Sequence, residues 1–178
     1  MVDSIPDEFA RSQGSDRVPL GKDGIVTDEK RARGTAAWHG RIEHVRGADL
    51  GADTAQTPGM RRYEAISGKS VGSERLWMGR THVGPATDSG DHHHGEAETA
   101  IYIVSGHPVF VFADGDEEVR VETGPGDYIF VPPYLPHREE NPSPDEEAVV
   151  VIARSTQEGI VVNLPSLWTK VDRPADDA

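Results

Sequence analysis

From Met60 to Leu164 the chain is a succession of short β-like runs separated by Gly, Pro and Asp, and few folds accommodate that texture. The runs are Arg62 to Ile66, Glu74 to Val83, Thr99 to Val104, Pro108 to Ala113, Glu117 to Glu122, Asp127 to Val131, Ala148 to Ala153 and Gly159 to Leu164. Strands so short and so closely spaced belong to an all-β sandwich or barrel. Between two of them, Asp114-Gly115-Asp116 offers the positive φ that a tight hairpin needs. Along the strand before that turn, Val109 and Val111 face one way and Phe110 and Phe112 the other, so both faces should be covered.

Outside this stretch the pattern lapses. Residues 1–55 show no sustained apolar period and are expected to form a polar, partly irregular N-terminal extension. Trp38, Ile42 and Val45 lie roughly on one helical face and could dock part of it as a short helix or strand, the alternative being a loosely attached arm with a few surface apolar residues. The barrel is assigned to 56–164 and a C-terminal tail to 165–178, polar from Lys170 to Ala178. A chain of 178 residues supports one such domain.

Charge and composition narrow the function. A formal net charge of -13 repels phosphate backbones and anionic lipid heads, so neither nucleic acid nor membrane is an expected partner. With no cysteine, disulfides, thiolate ligands and a cysteine nucleophile are all excluded. The segment from Met1 to Phe9 lacks the basic start and apolar run of a secretory signal, and no window is long enough to span a bilayer, so a cytoplasmic location is expected.

Two stretches carry chemistry. In Gly90-Asp91-His92-His93-His94-Gly95-Glu96-Ala97-Glu98, extended chain would turn His92 and His94 to one face and His93 to the other. Glu98, just past a turn, could return to the same ion, with Glu96 left on the surface. About forty residues on, His137 could supply a fourth ligand from another strand. A three-histidine run alone is often a solvated loop; the second half-site gives the metal reading its weight. Three nitrogens and one carboxylate suit iron, manganese, nickel, cobalt, copper or zinc better than they suit calcium or magnesium. Six-coordination would leave two adjacent positions for water, dioxygen or a chelating substrate.

These stretches resemble the paired motifs of the cupin superfamily, G-x5-H-x-H-x3,4-E-x6-G and G-x5-P-x-G-x2-H-x3-N. Gly126, Pro132, His137 and Asn141 meet the second pattern, with Tyr134 where it has glycine. His92, His94 and Glu98 meet the first, but Gly106 arrives one residue late and Gly84 is displaced. The late glycine implies either a β-bulge between Glu98 and Gly106 or a ligand other than Glu98, and the bulge is preferred. The resemblance covers about 56–164. It implies a double-stranded β-helix, the jelly-roll barrel of cupins, with His92, His94, Glu98 and His137 as metal ligands inside it and pairing into a homodimer through edge strands.

Other residues are candidates for the pocket. Tyr102 follows Glu98 by four and would share its face on an unbulged strand. Arg80, His82 and Met78 lie on one face of the preceding strand, where Arg80 could anchor a substrate carboxylate. Glu139 shares a strand face with His137 and is either an outer-shell group or wet. The expected function is a mononuclear metal cupin acting on a small organic molecule, foremost by Fe(II) dioxygen chemistry. A non-redox isomerase or lyase, with Tyr102 or His82 as proton carrier, is one alternative, and a non-catalytic binding module is another.

Overall fold

A computed structural model describes residues 41–157 and 160–173. Their strands are β1 (Met60–Ile66), β2 (Trp77–Val83), β3 (Thr87–Asp88), β4 (His92–His93), β5 (Thr99–Ser105), β6 (Val109–Asp114), β7 (Glu117–Glu122), β8 (Tyr128–Val131), β9 (His137–Asn141), β10 (Ala148–Arg154) and β11 (Val162–Asn163). One short helix, α1 (Gly68–Val71), joins β1 to β2 and is capped by Ser67. The pairings are antiparallel and form two sheets, one ordered β1-β2-β10-β5-β8 and the other β11-β4-β9-β6-β7 with β3 beside β9. The fold is the all-β jelly roll, and no helix among the described residues is long and apolar enough to cross a membrane.

Strand parity decides what lies between the sheets. On β2 the buried set is Trp77, Gly79, Thr81 and Val83; on β5 it is Thr99, Ile101 and Ile103. Trp77, Ile101, Ile103, Phe110, Val131, Val150 and Ile152 form the core, each worth roughly 1.5–3 kcal/mol when fully buried. That gain fixes the register, because a slip of one residue would expose the whole set. Both faces of β6 are covered: Phe110 joins the core, while Val109 and Val111 pack on Leu167. The β6–β7 hairpin closes through Gly115 at φ 61.

Two segments flank the barrel. In the C-terminal tail Leu167 is buried and the Trp168 indole donates to the Gly115 carbonyl at 3.0 Å. In the N-terminal extension, residues 41–50 form neither helix nor strand and Ile42 is 98% exposed, so no docked helical face forms there. Trp38 lies outside the described residues. Gly51 exchanges backbone hydrogen bonds with Glu64, and Gln56 bonds both backbone groups of Arg62.

Candidate metal centre

His92 on β4 faces His137 on β9 as direct cross-strand partners, and His94 follows two residues on. His137 and Glu139 are likewise two apart on β9, so the site is two i, i+2 pairs turned toward each other. One potential ligand atom from each of His92, His94, His137 and Glu139 lies within 4.8 Å of the other three. All four residues are buried. Their ring centroids stand 4.3 Å (His92–His137), 4.7 Å (His94–His137) and 5.1 Å (His92–His94) apart.

The outer nitrogen of each imidazole is engaged. His92 Nδ1 lies 3.0 Å from the Gly90 carbonyl, His137 Nδ1 lies 2.9 Å from the Leu135 carbonyl, and His94 Nδ1 lies 2.9 Å from Thr99 Oγ1. A carbonyl only accepts, so the first two rings hold their proton on Nδ1 and present a lone pair at Nε2. The His92 and His94 Nε2 atoms are 3.2 Å apart, and His137 Nε2 is buried without a hydrogen-bond partner. Burial pulls the His92 and His94 pKa values down, and that of His137 to about 4, so all three are neutral near pH 7. Neutral imidazoles oriented by second hydrogen bonds, with a carboxylate beside them, fit a divalent transition metal.

Glu98 is not in this group. β5 begins at Thr99, and the burial of Ile101 and Ile103 turns Thr99 inward and Glu98 outward. The Glu98 backbone pairs with Ser155, and its side chain is exposed. Glu139, expected as an outer-shell or wet group, takes the carboxylate place. The late glycine does mark a bulge: Ile103 to Ser105 opposes the single step Val150 to Val149, leaving Val104 extra. Gly106 then closes the strand at φ 80, where a Cβ would meet the Ala148 Cα at 2.7 Å. The bulge lies past Tyr102 and does not redirect it.

Tyr102, His82 and Arg80 all face outward. Tyr102 packs on Tyr128 with ring centroids 4.9 Å apart; His82 Nδ1 contacts Glu147 at 2.7 Å, and the Arg80 guanidinium lies over the Tyr63 ring. The alternation on β2 is as expected, but Trp77 and Val83 claim the interior. Asn141 acts structurally, its amide donating to the carbonyls of Val83, Gly84 and Glu146. Tyr134, where the motif has glycine, keeps a left-handed backbone at φ 61 and donates its N–H to Gly95.

Next to the site is a hollow of about 330 Å³ whose wall includes Phe110, Phe112, Ile129 and Leu135 and which reaches His137. Buried groups that sequence reasoning did not single out are Thr99, Arg62 and Arg154. The available signal was their parity with buried apolar neighbours, such as Arg154 with Ile152 and Val150.

The family model described as Cupin domain matches residues 79–153. Among solved structures, the polyketide cyclase RemF from Streptomyces resistomycificus is 24% identical with a TM-score of 0.58, over 70% of this chain and 86% of that one. An oxalate oxidase is 19% identical with a TM-score of 0.54, over 64% and 59% of the two chains. A Bacillus subtilis oxalate decarboxylase variant is 24% identical with a TM-score of 0.55, over 63% and 30%. The chain therefore spans about three fifths of the oxidase and under a third of the decarboxylase, and the likeness is one of fold. No curated protein matches the sequence.

Proposed function

Since the chain belongs to the cupin superfamily through its domain at residues 79–153, we propose that it is a mononuclear metal enzyme that oxidises a small organic molecule with dioxygen. The ion is iron or manganese, held by His92, His94, His137 and Glu139. The observation that carries this reading is the convergence of those four side chains, all buried, beside an apolar hollow.

When bound, the ion supplies Lewis acidity and, as Fe(II), electrons for dioxygen. The protein contributes the rest. Gly90, Leu135 and Thr99 orient the imidazoles, and Glu139 brings the negative charge that offsets part of the ion's own. Phe110, Phe112, Ile129 and Leu135 receive the apolar part of a substrate and keep water scarce around the reacting atoms.

A second reading, a non-redox isomerase or lyase, is favoured by one observation. Tyr102 and His82 face outward, so Glu139 is the carboxylate next to the histidines that could move a proton. Oxygen uptake separates the two. Metal-free protein is loaded anaerobically with Fe(II) or Zn(II) and mixed with a panel of diols, thiols and keto acids. Uptake by the iron form alone supports the oxidative reading. Silence of both forms, with the zinc form exchanging substrate C–H protons for deuterium, replaces it with the second.

A further inference from the structure

Two arginines are folded into the barrel interior. Arg62 on β1 is 4% exposed and Arg154 on β10 is 2% exposed. Among the described residues each gives one Nη1 hydrogen bond to a carbonyl, Arg62 to Ala55 and Arg154 to Ile160, the latter at 3.0 Å. The Nε of each is buried with no hydrogen-bond partner among the described residues. Arg154 stands directly across from Thr99, the residue that braces His94, and its guanidinium lies 5.7 Å from the centre of the Trp77 ring. Arg62 stands across from Thr81, which is fully buried and whose hydroxyl also has no partner among the described residues.

A buried guanidinium is costly unless an anion compensates it. Glu139 is the buried carboxylate within electrostatic reach of both guanidiniums. Half-buried Glu64 already accepts from Ser67 Oγ at 2.6 Å and from the Trp77 indole at 3.0 Å. Among the described residues the two guanidiniums therefore meet one buried carboxylate, the one that faces the histidines, and a divalent ion on that carboxylate enlarges the positive excess. The unpaired Nε groups are donors, so what they lack is an acceptor.

We infer that Arg62 and Arg154, with the Thr81 hydroxyl, form a subsite for a carboxylate of the substrate, while the hollow at His137 takes its apolar body. The substrate class is a small carboxylic acid able to approach the metal. That it is turned over rests on the proposed function; the anion site itself exists in the metal-free chain.

The test titrates phenylglyoxylate and glyoxylate, each against its uncharged amide, into metal-free and Mn(II)-loaded protein by calorimetry. Tryptophan emission is followed in parallel, because Arg154 lies against Trp77. The expected result is a preference of at least about tenfold for one anion over its amide in both forms, lost in Arg154→Leu and Arg62→Leu and partly kept in Arg154→Lys. No preference in the wild type, or one that survives both leucine variants, overturns the inference. Should the leucine variants not fold, Arg62→Lys and Arg154→Lys decide, since a preference undiminished in both also overturns it. Failure of the metal reading looks different, as absent stoichiometric Mn(II) uptake with the anion preference intact in metal-free protein.

Discussion

Replacing Thr99 by valine removes one hydroxyl from a site that is 0% exposed and keeps the shape of the side chain. What disappears is the 2.9 Å contact between Thr99 Oγ1 and His94 Nδ1. In the metal-bound state His94 must donate from Nδ1 while Nε2 ligates, and an unpaired buried donor costs about 1–3 kcal/mol. Because metal-free His94 can relax, most of that cost falls on the bound state, so affinity should drop roughly tenfold to a hundredfold, about 1.4 to 2.7 kcal/mol. Competition for Mn(II) or Co(II) against a coloured chelator measures the change, with circular dichroism and the metal-free Tm as controls on folding. An intact fold with affinity within about twofold of wild type would show that Thr99 does not orient a ligand.

The remaining predictions concern the frame around the site. Leu167→Ala should lower stability by about 2–4 kcal/mol, by uncovering Val109 and Val111, and leave metal affinity unchanged; denaturant unfolding and a metal titration check both halves. At Tyr134, held at φ 61, the glycine variant should be more stable than the alanine variant by about 1 kcal/mol, since both lose the ring but only alanine keeps the backbone strain; equal stabilities would mean that the position is unstrained. Glu140 accepts hydrogen bonds from Arg120 and Arg138, which hold its carboxyl below the ordinary 4.5. Below that pH the unfolded chain binds a proton the folded one refuses, so the stabilisation, about 1 kcal/mol, is full above about pH 4.5 and lost as pH falls through the lowered value. The Tm gap between wild type and Glu140→Gln should accordingly be open at pH 7 and close in acid; a gap that persists in acid contradicts the assignment.

The barrel was legible because turn residues and apolar alternation are local signals, and three of the four metal candidates because His92, His94 and His137 sit in a two-part spacing pattern. The fourth was misplaced for a physical reason. Motif spacing counts residues, whereas a strand has two faces and the heavier apolar set chooses between them. Ile101 and Ile103 bring Thr99 inside with them and turn Glu98 and Tyr102 out. Trp77 and Val83 do the same on β2, at the expense of Arg80 and His82 as pocket residues. Glu139 could be seen to share a face with His137, but its nearness to His94 depends on the short β4–β9 pairing, which no local pattern announces. Arg62 and Arg154 were hidden by the general rule that arginines stay at the surface, which fails where a barrel encloses other charges.

The most direct measurement loads wild type, Glu139→Gln and Glu98→Gln with Mn(II) under identical conditions and determines bound metal by elemental analysis after desalting. With Glu139 as the carboxylate ligand, Glu98→Gln retains the wild-type stoichiometry and Glu139→Gln loses metal, its affinity falling by at least about tenfold. Metal lost from Glu98→Gln and retained by Glu139→Gln would contradict the site described for this chain.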